Sequence, residues 1–194
     1  MEPVRRSVSA LFGVLQLDGS AAPREVVEEM SRAARYRGGD GEAVLLSGPC
    51  GLGHQLLRTS GVRSAGLSQC DGDVLLSMCG RLDNRMELAR AVGVDLCSDA
   101  VSDSELLLIA HRKIGPELPK RLLGDFAYAL YDKGSGCLML VRDHMGVQPL
   151  YYGIRGQVEV IDTLTVTVVD TVQVEVPDTI RVEQRMEMET PRLP

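Results

Sequence analysis

Gly124-Asp125-Phe126-Ala127-Tyr128-Ala129-Leu130-Tyr131-Asp132, followed ten residues later by Arg142-Asp143-His144-Met145-Gly146-Val147-Gln148-Pro149-Leu150-Tyr151-Tyr152, is the stretch on which the fold turns. Apolar and small residues alternate through the first segment, which predicts a buried strand ending in a turn. The second segment reads as a strand end, a glycine turn, and a new strand that begins at its proline.

Working outward, residues 8–17 form a short apolar run closed by Asp18-Gly19, a first strand and turn. Val26, Val27, Met30, Ala33 and Ala34 are spaced for a helix over 23–36, with Pro23 in its first turn. Strands are expected near 43–47, 51–57 and 73–79, and a helix near 84–92 that Gly93 ends. Ser102 with Glu105 three residues on is a capping box opening a helix over 104–114, which Gly115-Pro116 stops. A short helix over 116–123 then leads into the opening stretch.

From Gln157 the composition changes, with no Lys, Gly or aromatic residue to the end of the chain. Asp-Thr recurs at 162–163, 170–171 and 178–179, each time followed by Leu, Val or Ile. Alternating β-branched residues between Asx-type turns predict successive short strands, which pair with the main sheets, with a second copy, or with nothing. The organisation expected is an extension over 1–8, one domain over 9–156, β repeats over 157–185 and a flexible tail over 186–194.

The net charge of −6, with no basic run longer than two residues, argues against a nucleic-acid partner. No apolar stretch approaches the roughly 18 residues of a membrane span, so no membrane partner is expected. Five cysteines (50, 70, 79, 97 and 137) make no CxxC pair, which fits reduced thiols in a cytoplasmic protein. Aromatic residues are 4% with no Trp, so the core is built mainly from Leu and Val. His54 is read as a hydrogen-bonded structural histidine, His111 as a surface residue and His144 as part of a turn. Nothing joins them as a metal site, and Gly38–Gly41 lacks the Lys-Ser/Thr of a phosphate loop, so no metal or cofactor is expected.

Six short motifs occur in an order and spacing that resemble one family, the glutamine amidotransferase domain that opens the asparagine synthetases. Tyr36-Arg37-Gly38-Gly39-Asp40-Gly41 resembles its His-Arg-Gly-Pro-Asp-Gly, and Gly51-Leu52-Gly53-His54 its Gly-Leu-Gly-His. Gly80-Arg81-Leu82-Asp83-Asn84 is similar to Gly-Glu-Ile-Tyr-Asn, and Ser102-Asp103-Ser104-Glu105 to Ser-Asp-Thr-Glu. The two segments of the opening stretch complete the set. The resemblance runs from about residue 9 to 156. It implies an α+β fold, the four-layer αββα sandwich of antiparallel sheets of the N-terminal-nucleophile hydrolases, here with a β-rich C-terminal tail.

In that family an N-terminal cysteine attacks the glutamine amide, with its own α-amino group (pKa about 7.7–8) as general base. An Asn carboxamide and a Gly N–H hold the oxyanion, an Arg the substrate carboxylate and an Asp its amine. Carried onto this chain, the nucleophile position is Ser9, whose nitrogen is an amide and cannot act as a base. The oxyanion Asn falls on Cys79, with Gly80 kept. The arginine position is Leu56, and only Asp103 keeps its family role. Arg58, two residues beyond Leu56, is the one nearby arginine that could replace the lost one; it reads as a solvated side chain.

Such groups act as a unit, so no catalytic residue is expected from this set. The family's Ser-Gly-Gly-x-Asp-Ser loop for ATP has no counterpart in the 194 residues. The state of the motifs is closest to relatives that dropped glutamine hydrolysis, the β-lactam synthetases and lasso-peptide cyclases. The expectation is a non-catalytic module that binds an asparagine-synthetase-like ATP-dependent synthetase or a precursor peptide in natural-product biosynthesis. Two other readings remain open at this point: self-assembly into a homo-oligomer through the β repeats, and a Ser9 amidohydrolase exposed by removal of residues 1–8. A further possibility is that 157–194 reflects a truncated or frame-shifted gene.

Overall fold

The computed structural model describes residues 9–58, 69–96, 101–155, 158–162 and 172–175. Two five-stranded antiparallel sheets organise them. Sheet A has the order β2 (Gly41–Ser47), β3 (Cys50–Leu56), β1 (Ala10–Gln16), β9 (Val158–Asp162), β8 (Tyr151–Arg155). Sheet B has the order β10 (Val172–Glu175), β7 (Cys137–Arg142), β6 (Gly124–Asp132), β5 (Val74–Leu82), β4 (Gln69–Asp71).

Period-two alternation distributes the side chains into three apolar layers. From β1, Ala10, Phe12 and Val14 pack outward against Ala22 and against Val27 and Ala34 on the buried face of α1 (Arg24–Ala34). Leu11 and Leu15 point the other way and meet Leu75, Ala127, Ala129 and Leu140 of sheet B between the sheets. The opposite face of sheet B presents Leu76, Met78, Phe126, Tyr128 and Met139 to α2 (Arg85–Val92) and α3 (Asp103–Ile114). The result is the expected α+β four-layer sandwich, helix on sheet on sheet on helices. Each Leu fully buried this way contributes about 2 kcal/mol of transfer free energy.

Local signals set the element ends. Ser102 and Glu105 form the capping box in both directions, the Glu105 N–H donating to Ser102 Oγ at 3.2 Å and the Ser102 N–H to Glu105 Oε2 at 2.7 Å. Gly93 ends α2 with φ +68°, and the Val94 N–H donates back to the Ala89 carbonyl at 2.9 Å. The segment read as a helix over 116–123 is a 3-10 helix over Gly115–Arg121, with Pro116 and Pro119 removing two backbone donors.

The strand expected to start at Pro149 starts at Tyr151. The cause lies at Asp143, whose carboxylate accepts from the N–H groups of Met145, Val147 and Gln148 at 2.9–3.0 Å and holds that backbone in a turn. Of the three Asp-Thr units, the second contains a strand among the described residues, β10. Asp162 is the last residue of β9, and β10 follows Thr171; residues 163–170 and the third unit lie outside the described residues. β9 pairs with β1 and β8, and β10 with β7, so the main sheets extend across the boundary drawn at residues 156 and 157.

Candidate functional site

The residues singled out from the sequence fall into two groups, one at the end of each sheet. Ser9 immediately precedes β1 and is buried. The β1–β3 register (Ala10 opposite Gln55) brings it beside the end of β3, where its hydroxyl accepts from the Leu57 N–H at 3.0 Å and donates to the Leu57 carbonyl at 3.3 Å. Both capacities of the Ser9 hydroxyl that a nucleophile needs are thereby engaged by backbone. Leu56 is buried and ends β3, and its carbonyl accepts from the Gly39 and Asp40 N–H groups. Arg58 is exposed and lies past the strand, so the same-face argument that could bring it to the Leu56 position does not apply to it.

Cys79 sits in β5 opposite Ala127 and is buried between the sheets. Burial pushes its thiol far above the ordinary range, against the pull of the half-buried Arg37 guanidinium, so it is an inert thiol. Gly80 follows with φ +102°. A Cβ there would come within 1.9 Å of the Asp125 carbonyl oxygen on β6, so no other residue fits. Among the described residues Cys50, Cys79 and Cys137 carry no disulfide, and no group of three or more His, Cys, Asp or Glu side chains could hold a metal ion.

Asp103 is buried at the start of α3, and both of its oxygens are occupied. The Leu82 N–H donates to Oδ2 at 3.0 Å, and Arg85 at the start of α2 pairs with Oδ1. Arg85 also donates to the Val101 carbonyl at 2.6 Å. Burial pushes the Asp103 carboxyl up from its ordinary value, while the Leu82 N–H and the Arg85 guanidinium oppose that shift. The carboxylate at the family's amine-binding position is thus neutralised by a cation of the chain itself. Sequence reasoning missed Arg85; its only signal is a basic residue directly after the Gly80–Asn84 motif.

The Gly51-Leu52-Gly53-His54 motif has a packing explanation. A Cβ at Gly53 would come within 2.1 Å of the Phe12 ring, so the glycine lets that ring lie flat on β3. His54 was expected to be hydrogen-bonded, and it is not. It is fully buried, both ring nitrogens lack a hydrogen-bond partner, and desolvation lowers its pKa to about 4. Next to it the Ser77 hydroxyl donates to the Gly53 carbonyl at 3.0 Å, tying the two sheets together.

His111, expected at the surface, is half-buried on α3, and burial lowers its pKa. His144 is exposed in the turn, as expected. Asp143 builds the turn network described above, whereas the Arg142 Nε is buried without a partner.

The comparisons with known proteins agree with this architecture. A family model described as a glutamine amidotransferase domain matches residues 8–182. The glutamine-hydrolysing asparagine synthetase B of Escherichia coli K12 is 31% identical over 147 residues, 74% of this chain and 26% of that protein. A glutamine-hydrolysing asparagine synthetase of Oryza sativa subsp. japonica is 32% identical over 150 residues, 75% of this chain and 24% of that protein. The chain therefore spans about a quarter of the length of these relatives. Among solved structures, glutamine phosphoribosylpyrophosphate amidotransferase from B. subtilis superposes with a TM-score of 0.60 at 16% identity, over 79% of this chain and 41% of that one. That likeness supports the N-terminal-nucleophile sandwich as the fold. On the family match and the shared motifs, the chain belongs to the glutamine amidotransferase domain family, in the class carried by the asparagine synthetases.

Proposed function

We propose that this chain is an amidotransferase domain that no longer hydrolyses glutamine and acts as a binding module in amide-bond-forming biosynthesis. Its partner is an asparagine-synthetase-like ATP-dependent synthetase or a precursor peptide, in the cytoplasm. The observation that carries this reading is the state of the four family positions. Ser9 is bonded to the Leu57 backbone, Leu56 offers no charge to a carboxylate, Cys79 has no carboxamide, and Asp103 is held by Arg85. A substrate amine approaching Asp103 has to displace a half-buried guanidinium that is anchored on both Asp103 and the Val101 carbonyl.

The alternative readings gain less support. A Ser9 amidohydrolase needs the hydroxyl released from Leu57 and still lacks the carboxylate-binding arginine and the oxyanion carboxamide. For self-assembly through the repeats, β9 is already paired on both sides within sheet A, and β10, the edge of sheet B, is paired on one side with β7.

Two measurements on the full chain test the proposal. Incubation with glutamine gives no glutamate above buffer, and immobilised chain retains a purified asparagine-synthetase-like synthetase or precursor peptide encoded in the same genome. Glutamate release at an enzymatic rate overturns the first half, and retention of neither partner overturns the second.

A further inference from the structure

Among the described residues seven large apolar side chains stand exposed, and six of them sit at one end of the sandwich. The strand register fixes which end. β5 finishes at Leu82 opposite Gly124, where β6 starts, so Leu123 lies at that end. Asn84 binds the Leu123 N–H and the Arg121 carbonyl, and Met86 follows two residues later in the first turn of α2. β7 finishes on the same side, Arg142 opposite Ala127. Met145 and Val147 then occupy the Asp143 turn that carries the chain to Tyr152 on β8. Tyr36 joins from sheet A: it belongs to the 3-10 turn Arg35–Arg37, and Gly38 after it packs on Gln55 and Leu56 where β3 ends. The Arg37 charge reaches Cys79 on β5, so the two sheets share this end.

The opposite end is built differently. Its turns, at 17–20, 48–49, 72–73 and 133–136, expose no large apolar side chain among the described residues. They carry Asp18, Asp71, Asp73 and Asp132 against Arg112 and Lys133, an acidic balance. At the apolar end the charges are even, with Arg58, Arg81 and Arg121 standing among Asp40, Asp83 and Asp125. Arg81 bridges Asp83 at 2.9 Å and Asp125 at 2.6 Å. Arg121 is exposed and in no ion pair among the described residues.

Exposed apolar residues scattered singly are ordinary, but Met, Tyr and Leu gathered with Arg on one face are the composition of an interface. The face is also the right size. Five strands span about 19 Å, the sheets lie about 10 Å apart and a helix flanks them, so the end matches the roughly 800 Å² that each partner of a stable complex buries. Charge decides the occupant. The chain carries a net −6, so two copies repel one another through most of their surface. Here alone both signs are even, and a two-fold contact sets apolar against apolar while Arg121 of one copy meets an aspartate of the other.

We propose that two copies of this chain associate through this end, in an isologous contact built on Leu123, Met145 and Val147. The contact closes over the end that holds Leu56, Cys79, Gly80 and Asp103. It differs from assembly through the Asp-Thr repeats and does not rest on the function proposed above.

Sedimentation equilibrium of the full chain, from about 1 µM to about 0.2 mM, reads the mass of the associating species. The mass rises from one chain toward two across that range. Leu123→Glu combined with Met145→Glu raises the dissociation constant at least about tenfold, because the introduced carboxylates meet across the two-fold axis. Val26→Glu, at the one exposed large apolar residue outside this end, leaves it unchanged. Circular dichroism checks the fold of the double variant, and Met145→Glu alone, at a side chain 87% exposed, decides if the double variant fails to fold. A parent that keeps the mass of one chain throughout overturns the proposal. So does a double variant that associates as the parent does, or an equal loss with Val26→Glu.

Discussion

Arg85 and Asp103 form an ion pair whose carboxylate is 1% exposed and whose guanidinium is 23% exposed, so the first turn of α2 is tied to the first turn of α3. Removing one partner leaves the other charged and buried. Arg85→Ala is expected to lower unfolding stability by about 3 kcal/mol, read from urea denaturation at pH 7. Arg85→Met combined with Asp103→Asn recovers most of that loss, because no lone charge remains. A single variant as stable as the parent shows that water reaches the carboxylate.

Ser9→Ala deletes two hydrogen bonds to Leu57 and leaves the Leu57 N–H and carbonyl without them. The expected loss is about 1–2 kcal/mol, seen as a lower thermal midpoint. If instead Ser9→Ala abolishes a measurable glutamate release, the hydroxyl is a nucleophile and the proposed function fails.

His54 makes the fold acid-sensitive. Its pKa is about 4 in the folded state and about 6.5 in the unfolded chain, so the unfolded state binds the extra proton first. The neutral form's contribution is complete above pH 6.5 and is lost as pH falls from there toward 4. Over that window the loss approaches about 3 kcal/mol. Because other groups also titrate there, the test is the difference between the parent and His54→Leu. The urea midpoint of the parent should drop more steeply between pH 7 and 4.5, and parallel curves exclude the effect.

Gly80→Ala places a methyl where the Asp125 carbonyl oxygen already is, at a φ of +102°. It should abolish a cooperative unfolding transition or cost several kcal/mol, on the order of 3 or more. Gly39→Ala, with nothing within 4 Å of its Cβ, serves as the control and stays close to the parent.

Much of this architecture is written locally. The alternation of Phe126, Tyr128 and Leu130 against Ala127 and Ala129 assigns the two faces of β6, and the structure sends the first set to the helices and the second to the facing sheet. Ser102 and Glu105 announce the start of α3 because a capping box uses residues three apart. What escaped the sequence depends on distant partners. Arg85 meets Asp103 only after two helices have packed, and the lack of a partner for His54 follows from which residues line the gap between the sheets. The places of β9 and β10 depend on distant partners too, since β9 pairs with β1 and β8, and β10 with β7.

β9 lies between β1 and β8 in sheet A, a position with consequences for how the chain acquires its structure. Among the described strands of sheet A, the first in sequence has one of its two edges reserved for the last, and Gln16 waits for Val158. Until that strand arrives, β1 carries a row of unpaired backbone donors and acceptors, the kind of surface that recruits other chains. Sheet A is thus closed by its latest element, and the domain should fold slowly, in a step that synthesis of the first 157 residues cannot complete.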